Sequence, residues 1–288
     1  MNNKILVTGA NGQLGKEIQA MAGAWPQFEF VFLTREQLSI HHPDQIHPYF
    51  ERLKPFACVN CAAYTAVDKA ESDKEQAYLV NAEGVRMLAA ICAGSGVKFI
   101  HISTDYVFDG ESSVPLREDD PTAPINVYGA SKLLGEELAF RENGEVLILR
   151  TSWVYSEFGN NFVMTMIRLM GEKPSLNVIN DQIGSPTYAA DLADAILHIL
   201  GSGKFIPGIY NYSNEGAISW YDFAVAIKEL TASSCEVNAI PGSQYPTAAR
   251  RPHYSLLDKS KIRETYGLFI PAWKDSLIRC LGRIAQNR

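Results

Sequence analysis

Tyr128 and Lys132 stand four residues apart in the segment Tyr-Gly-Ala-Ser-Lys, and two further polar side chains, Thr104 and Asp105, precede them along the chain. Residues four apart in a helix share one face. An ordinary tyrosine phenol has a pKa of about 10 and is a poor acid or base near neutrality. We expect the Lys132 ammonium to stabilise the phenolate, lower the pKa of Tyr128 and make it a usable acid–base group. A Tyr-x-x-x-Lys pattern is weak alone, so the rest of the chain must support it.

A glycine-rich loop follows the first apolar run of the chain, residues 4–8, which has the character of a β-strand. Strand, glycine turn and helix in succession are what the pyrophosphate of a dinucleotide requires. Gly9 would permit the tight turn, Gly12 the close approach of the phosphates, and Gly15 the packing of the helix on the strand. The spacing is Gly-x-x-Gly-x-x-Gly, and a glycine turn that binds nothing is the alternative. The loop residues predicted to bind the cofactor are Gly9, Asn11, Gly12, Gln13, Leu14 and Gly15.

The residues at the end of the second predicted strand, 28–33, indicate whether the cofactor carries a 2′-phosphate. An acidic residue there would bind the ribose 2′-hydroxyl and repel a 2′-phosphate. This chain has Thr34 and Arg35 instead, and an arginine can pair with a phosphate. NADPH is therefore the expected cofactor, and a solvated surface arginine is the alternative interpretation of Arg35.

Composition and charge exclude several classes of protein. The 288 residues carry a formal net charge of −6 with no basic block, which argues against a nucleic-acid partner. No signal peptide and no apolar stretch long enough for a bilayer are apparent, so we expect a cytoplasmic protein with no membrane partner. Five scattered cysteines argue against a disulfide framework. His41, His42 and His47 lack a matching ligand cluster, so no catalytic metal is predicted.

The first half of the chain alternates between strand-like and helical segments. Such alternation predicts an α/β fold, a Rossmann-type doubly wound parallel sheet that binds ligands at the carboxyl ends of its strands. The predicted strands are residues 4–8, 28–33, 57–62, 98–103 and 146–150, and the predicted helices are 12–22, 45–53, 74–93 and 127–141. Residues 1–152 are predicted to form the dinucleotide-binding domain, with 176–200 returning to it. Residues 153–175 and 201–288 should mainly form a smaller, interleaved substrate-binding lobe at the C-terminal side.

Taken together, these motifs resemble those of the extended short-chain dehydrogenase/reductase superfamily and, more narrowly, of the dTDP-4-dehydrorhamnose reductases. The glycine loop and Tyr-x-x-x-Lys indicate only the superfamily. The narrower likeness lies in Arg-Thr-Ser-Trp-Val-Tyr at 150–155, Asn-Asp-Gln-Ile-Gly-Ser-Pro-Thr at 180–187 and Ala-Arg-Arg-Pro-His-Tyr-Ser at 249–255. It extends over nearly the whole chain, through further blocks at 60–71, 101–110, 124–132 and 159–163.

The resemblance implies a reaction. NADPH would deliver hydride to the C4 ketone of dTDP-4-dehydro-6-deoxy-L-mannose, giving dTDP-L-rhamnose for surface polysaccharide biosynthesis. Tyr128 would protonate the developing alkoxide, and Lys132 would hold the nicotinamide ribose. Thr104 would hydrogen-bond the carbonyl oxygen, with Asp105 shaping the local proton network. Donors aimed at that oxygen act where charge develops.

The resemblance also implies the binding residues. Besides the glycine loop, Tyr128 and Lys132, the implied cofactor contacts are Arg35, Ser39, Ile40, Ala62, Ala63 and Tyr64. The implied contacts to the dTDP-sugar substrate are Val67, Thr104, Asp105, Tyr106, Trp153, Asn160, Asn161, Gln182, Arg250 and Arg251. Several of these are equally suited to packing or to turns. Two arginines before a proline suit a diphosphate, and of the two we prefer Arg251.

Departures from the family pattern bear on the cofactor and on assembly. Members often carry an aspartate near the second strand end and another in a Leu-Asp-Ile stretch, where this chain has Arg35 and Ser39, so NADH stays an alternative cofactor. Some relatives bind a divalent ion between subunits. Glu17 matches one ligand, but Ala189 and Ala190 stand where an acid would be needed. Mg²⁺ is therefore not required for the chemistry and is at most structural, and a homodimer is the candidate assembly.

Other functions share much of this pattern. A nucleotide-sugar 4,6-dehydratase or 4-epimerase would share the fold and the Tyr-x-x-x-Lys pair, but the dehydratases place a glutamate after the Thr-Asp pair, where this chain has Tyr106. A non-catalytic binding protein, similar to the regulatory subunit of methionine adenosyltransferase, is a different class. The intact Thr104, Tyr128 and Lys132 argue against a lost active site.

Overall fold

The centre of the fold is a six-stranded, wholly parallel sheet, seen in a computed structural model that describes residues 3–286. The strands of the chain are β1 (Lys4–Thr8), β2 (Glu29–Leu33), β3 (Ala57–Asn60), β4 (Lys98–Thr104), β5 (Val146–Thr151), β6 (Val154–Tyr155), β7 (Ser175–Ile179), β8 (Ile183–Gly184), β9 (Thr187–Tyr188), β10 (Gly208–Asn211), β11 (Ile218–Ser219) and β12 (Glu236–Ile240). The order across the sheet is β10-β5-β4-β3-β1-β2. The winding reverses between β1 and β3, and ligands bind at such a switch point. The predicted fold class is confirmed.

Helices cover both faces of this sheet and build the remaining lobe. They are α1 (Gln13–Met21), α2 (Pro43–Leu53), α3 (Val67–Ala70), α4 (Lys74–Tyr78), α5 (Gly84–Ser95), α6 (Val127–Glu142), α7 (Phe162–Glu172), α8 (Ala189–Gly201), α9 (Trp220–Leu230), α10 (Ser260–Tyr266) and α11 (Trp273–Gln286). The predicted helix 74–93 is divided by a π-helical segment, Leu79–Glu83. Within residues 3–286 no helix has both the length and the apolar character to cross a membrane.

Alternation along the central strands sends side chains into two separate cores. Ile5 and Val7 of β1 pack with α1 and α8 on one face, whereas Leu6 packs with α2 and α5 on the other. Strands buried on both faces read as continuous apolar runs, which is why β1 could be recognised in the sequence. Helix α8, which lies within residues 176–200, packs on α1 in the first of these cores.

Two strands lie on the other side of the predicted domain boundaries. β10 lies within the predicted substrate-binding lobe, but it pairs with β5 and completes the central sheet. β7, most of which lies in the segment 176–200 that is expected to return to the dinucleotide-binding domain, pairs with β12 in a separate two-stranded sheet. Its side chains alternate between exposed and buried, as suits a sheet with one covered face. The four residues of β10 are too few to give a recognisable pattern.

Helix α6, which carries Tyr128 and Lys132, is joined to the sheet by a buried ion pair. Arg150 of β5 donates from Nη2 to Glu136 Oε2 at 2.7 Å and from Nε to Oε1 at 3.0 Å. Both side chains are almost completely buried. The Ser103 hydroxyl of β4 donates to the same carboxylate. The pair therefore fixes α6 against the ends of two central strands.

Two glycines let α6 approach its neighbours closely. A Cβ on Gly129 would collide with the carbonyl oxygen of Tyr106, and one on Gly135 with that of Asn81 in the π-helical segment. Asn81 also donates to the Ser131 hydroxyl at 3.0 Å. The first turns of α6 are thus held by the loop after β4 and by the π-helical segment.

Replacing Glu136 by glutamine tests this arrangement. Glu136→Gln removes the charge and leaves the Arg150 guanidinium buried without a counterion, so we expect the free energy of unfolding to fall by about 3–5 kcal/mol. Urea denaturation followed by circular dichroism measures it. Glu137→Gln is the matched control, because Glu137 is exposed on the same helix. Equal stability of the two variants would show that the ion pair does not anchor α6.

Candidate active site

A cleft of about 500 Å³ opens at the switch point, where β1 and β3 end. Gly9 has a φ of +64°, and a Cβ there would lie 2.6 Å from the amide nitrogen of Ala62. Gly12 begins α1 without a side-chain cap, so the first amides of the helix remain available to an anion. The turn at Gly9 therefore admits no side chain, and the positive end of α1 faces the cleft. The residues present therefore fit the pyrophosphate of a dinucleotide.

Tyr128 lies in the first turn of α6, close to the carboxyl end of β4. The turn is well capped: Asn126 Oδ1 accepts from the Gly129 amide at 2.8 Å, and Glu71 accepts from the Val127 amide at 2.8 Å. The Tyr128 ring meets the Tyr106 ring edge-on, with centroids 5.7 Å apart. The Thr104 side chain lies close enough to the phenol to act on its pKa. The phenol is held in one place by its helix and by the neighbouring ring.

Thr104 and Asp105 form a buried polar pair at the end of β4. The Thr104 hydroxyl donates to Asp105 Oδ1 at 3.0 Å and accepts from the Tyr106 amide at 3.2 Å. Burial raises the pKa of Asp105 to about 6, although hydrogen bonds from Ser255 and Thr104 oppose that shift. Ser255 belongs to the segment after the Arg-Arg-Pro block. Tyr128 thus lies near a carboxyl group that can change its charge near neutral pH.

A second cleft, of about 940 Å³, lies between α7, β7 and the segment 244–251. Its wall includes the aromatic rings of Phe162, Trp220 and Tyr245. Arg251 reaches into it and donates to both carboxylate oxygens of Asp68, at 3.0 and 2.7 Å. The charges of Arg251 and Asp68 also act on the pKa of Tyr106, which contacts Tyr128. This cleft combines aromatic surfaces with a guanidinium group near the candidate proton donor.

Trp153 has an unusual backbone at the border of this cleft. Its φ of +47° lies in the left-handed region, which costs free energy for any residue with a Cβ. Two contacts hold it there. Its ring stacks on Trp220 with centroids 3.6 Å apart, and a Cβ on Gly184 would lie 2.9 Å from the ring. Strain maintained by surrounding contacts is typical of functional positions.

Comparison with known proteins agrees with this geometry. The family described as RmlD substrate binding domain matches residues 3–286. The chain belongs to this family.

Individual proteins related to this chain are similar to it over nearly their whole length. A dTDP-4-dehydrorhamnose reductase of Burkholderia thailandensis is 41% identical, over 96% of this chain and 98% of the relative. The spore coat polysaccharide biosynthesis protein SpsK of Bacillus subtilis is also 41% identical, with 95% of each covered. A crystal structure of dTDP-4-dehydrorhamnose reductase from Bacillus anthracis in complex with NADP superposes with a TM-score of 0.94 at 37% identity, covering 98% of this chain and all of that one.

Most of the residues predicted to bind the cofactor line the first cleft. Those that do are Gly9, Asn11, Gly12, Arg35, Ser39, Ile40, Ala62, Ala63 and Tyr64. Leu14 instead packs in the core, and Gly15 lets α1 approach Ala10. Gln13 accepts a hydrogen bond from Asn161 at 3.0 Å. His41 and Lys69 also line the cleft, and sequence reasoning missed both; only the position of His41 directly after Ile40 could have indicated it.

The residues predicted to bind the substrate lie in several different parts of the structure. Gln182 and Arg251 line the second cleft, and Tyr106 lies against Tyr128. Asn161 caps α7 through the Met164 amide, which is a structural role. The others are Val67 at the start of α3, Asn160 and Arg250 on the exposed surface, and Trp153, Thr104 and Asp105 as described. The contact of these residues with a sugar nucleotide stays a prediction.

Two neighbours of Trp153 and Arg251 were missed. Trp220, which stacks on Trp153, begins α9 far along the chain, and Asp68, which pairs with Arg251, lies in the short helix α3. Neither has a local motif. Only the tertiary structure brings them to the cleft.

The predicted lowering of the pKa of Tyr128 by Lys132 is wrong for this structure. Burial raises the pKa of Tyr128 to about 12, with the nearby Asp105 adding to the shift and the Thr104 hydrogen bond opposing it. Lys132 is turned toward the sheet, where its Nζ donates to the Ile102 carbonyl at 2.6 Å. Desolvation of the phenolate is the largest influence on the pKa of Tyr128, and Lys132 is not among its causes.

Glu17, the residue that matched a metal ligand of some relatives, is buried beside Glu157. Burial and the neighbouring Glu157 raise the pKa of Glu17 to about 8. Arg283 of α11 donates to Glu17 at 3.3 Å and to Glu157 at 3.1 Å. Across residues 3–286 no group of three or more His, Cys, Asp or Glu side chains is arranged to hold a metal ion. In this structure a guanidinium group, rather than a cation site, faces the two carboxyl groups.

Proposed function

We propose that this protein reduces the C4 ketone of dTDP-4-dehydro-6-deoxy-L-mannose to the hydroxyl of dTDP-L-rhamnose, with NADPH as the reductant, in nucleotide-sugar biosynthesis for surface polysaccharide. One observation carries the proposal. The Tyr128 phenol, packed on Tyr106 and beside Thr104, stands at the end of β4, next to a strand end that opens a dinucleotide cleft. Family membership and the relatives named above support the same reaction.

The dinucleotide cleft supplies the binding side of the reaction. NADPH, when bound, supplies the hydride. The amides at the start of α1 face its pyrophosphate, and the exposed Arg35 is available to the ribose 2′-phosphate. The Lys132 side chain, one helical turn beyond Tyr128, is assigned to the nicotinamide ribose. In this cleft the residues of the protein would bind the cofactor and orient it.

Proton delivery follows from the environment of Tyr128. With a pKa raised to about 12, the phenol is fully protonated at neutral pH. A sugar alkoxide is a much stronger base than a phenolate, so the proton moves from Tyr128 Oη to the developing alkoxide at the former carbonyl oxygen. The Thr104 hydroxyl lies at the same strand end, and to donate to that oxygen it turns its single proton away from Asp105 Oδ1. The raised pKa thus supports a proton-donating role in reduction.

The second cleft supplies the substrate side. Arg251 offers a guanidinium group to a diphosphate, and its pairing with Asp68 fixes the plane of that group. Phe162, Trp220 and Tyr245 offer aromatic faces to a nucleobase. Trp153, held beside Trp220, is assigned to the sugar. Together these residues suit a nucleoside diphosphate sugar better than a small ketone.

The alternative functions differ in chemistry. A dehydratase needs a further acid–base group to move protons at C5 and C6, but the residue after the Thr-Asp pair is Tyr106, whose pKa is raised by burial and whose ring packs on Tyr128. A non-catalytic binding protein would bind nucleotide without turnover. Stoichiometric oxidation of NADPH by the ketosugar nucleotide separates the reductase from both.

The proposal extends to location and assembly. The cytoplasm is the proposed location and a homodimer the proposed assembly. The sugar nucleotide is the proposed partner, with neither nucleic acid nor membrane involved.

Removal of the Tyr128 hydroxyl tests the proton donor. Tyr128→Phe should lower kcat for NADPH oxidation by about 10²–10⁴-fold, because no acid remains to protonate the alkoxide, while NADPH affinity is kept. Turnover is followed by the absorbance of reduced nicotinamide and binding by its fluorescence. Tyr49→Phe, a change in α2 outside both clefts, is the control. Turnover of Tyr128→Phe at the parent rate would refute the assignment.

The choice of cofactor depends on Arg35. Arg35→Ala should raise KM for NADPH by about tenfold or more, since one charge-assisted contact to the 2′-phosphate is lost, and leave KM for NADH nearly unchanged. Steady-state kinetics with each cofactor measure this. Arg52→Ala removes another exposed arginine and is the control. An equal effect on both cofactors would contradict recognition of the 2′-phosphate by Arg35.

A further inference from the structure

A buried chain of polar side chains connects the glycine-loop strand to the helix of Tyr128. Thr8, Asn60 and His101 hold matching positions in β1, β3 and β4, and Lys132 reaches them from α6. Each is at most 1% exposed. Because water does not reach these groups, every donor among them needs an acceptor within the protein. This requirement determines which atoms of these side chains carry a proton.

The orientation of the Asn60 amide is determined first. Its Oδ1 accepts from the Thr8 hydroxyl at 2.6 Å and from the Ala62 amide at 3.1 Å. A flipped side chain would place the Asn60 NH₂ group against the N–H of Ala62, where no acceptor exists. Nδ2 of Asn60 is therefore the atom that faces His101 Nδ1, at 3.0 Å.

The tautomer of His101 follows from this orientation. The Asn60 NH₂ group is a donor, so His101 Nδ1 must accept and cannot carry a proton. Burial lowers the pKa of His101 well below its usual value, so the ring is neutral and has one proton. That proton lies on Nε2, which is 3.2 Å from Lys132 Nζ.

Lys132 must therefore accept the hydrogen bond from His101 Nε2–H. Its Nζ already donates to the Ile102 carbonyl at 2.6 Å. An ammonium has no lone pair for the His101 Nε2–H, whereas a neutral amine has one. Glu136, one turn further along α6, favours the charged form, but its carboxylate is engaged by Arg150 and Ser103. Burial is the larger effect and lowers the pKa of Lys132 to about 8.

We propose that His101 is a positioning residue whose Nε2–H, directed by Asn60, stabilises the neutral amine of Lys132 relative to its ammonium in the ligand-free protein. The pair Asn60 and His101 thereby sets the pH range in which Lys132 carries a charge beside the cofactor. The tautomer of His101 follows from hydrogen bonding alone, and its kinetic consequence rests on the proposed function.

Nitrogen NMR of the whole, ¹⁵N-histidine-labelled protein tests the tautomer directly. His101 should show a neutral Nε2–H ring from about pH 6 to about pH 9, and His101→Gln identifies its signals by their loss. In Asn60→Asp the carboxylate keeps both contacts of the amide oxygen and accepts from Nδ1–H, so the signals should change to the Nδ1–H tautomer. A parent ring protonated at Nδ1, or one that titrates near its usual pKa of about 6.5, would overturn the proposal.

The pH profile of kcat tests the effect on Lys132. In Asn60→Asp, His101 Nε2 becomes an acceptor for the ammonium, so the limb of the profile that belongs to Lys132 should move up by about one pH unit. His101→Gln, whose side-chain oxygen also accepts, should move it the same way and replaces Asn60→Asp if that variant does not fold. Asn238→Asp, on the partly exposed strand β12, controls for added charge.

The two measurements separate the two proposals. An unmoved limb in both variants, with normal turnover, overturns the role of His101. Absence of turnover in the parent, with the expected tautomer, refutes the proposed function and leaves the hydrogen-bond assignment intact.

Discussion

The position of α6 against the carboxyl ends of β4 and β5 is the constraint on which the candidate site depends. The ion pair of Glu136 and Arg150 fixes the helix to the sheet, and Gly129 and Gly135 remove the side chains that would keep it away. Tyr128 and Lys132 project from this helix toward β4, which carries Thr104 at its end and His101 in its interior. A buried ion pair is costly to break once one partner is removed, so the helix has few alternative positions. The site thus owes its geometry to contacts outside the reacting groups.

Burial shifts the pKa values of the ionisable groups of the site so that the neutral form of each is favoured. It raises the pKa of Tyr128 to about 12 and that of Asp105 to about 6, and it lowers that of Lys132 to about 8. Each shift favours the neutral form, as expected where charge is poorly solvated. A neutral, protonated phenol suits reduction, because the enzyme must give a proton to the product. Charge then arises only when the alkoxide forms, and preorganised donors stabilise it there.

The sequence was sufficient for the elements whose signal is local. β1 and the glycine loop were recognised because a doubly buried strand and a phosphate turn have their own patterns. The spacing of Tyr128 and Lys132 also indicated a shared helix face. The strand β10 was missed because four residues give no periodicity. Trp220 and Asp68 were missed because each acquires its role from a partner distant in the chain.

The pKa of Tyr128 shows a different limit of sequence reasoning. The charge of Lys132 could be read from the spacing, but burial and the direction of its side chain could not. Desolvation and the contact of Lys132 with His101 both depend on the packed core. The sign of a pKa shift is decided by the larger of two opposing effects, and only the structure reveals which is larger.

A crystal structure with NADP⁺ and dTDP-L-rhamnose bound would test the central claim most directly. The account predicts that Tyr128 Oη lies about 2.6–3.2 Å from the sugar O4 oxygen, on the side of the sugar where the nicotinamide ring stands. A Tyr128 hydroxyl directed to bulk solvent, with another acidic group in contact with O4, would contradict it.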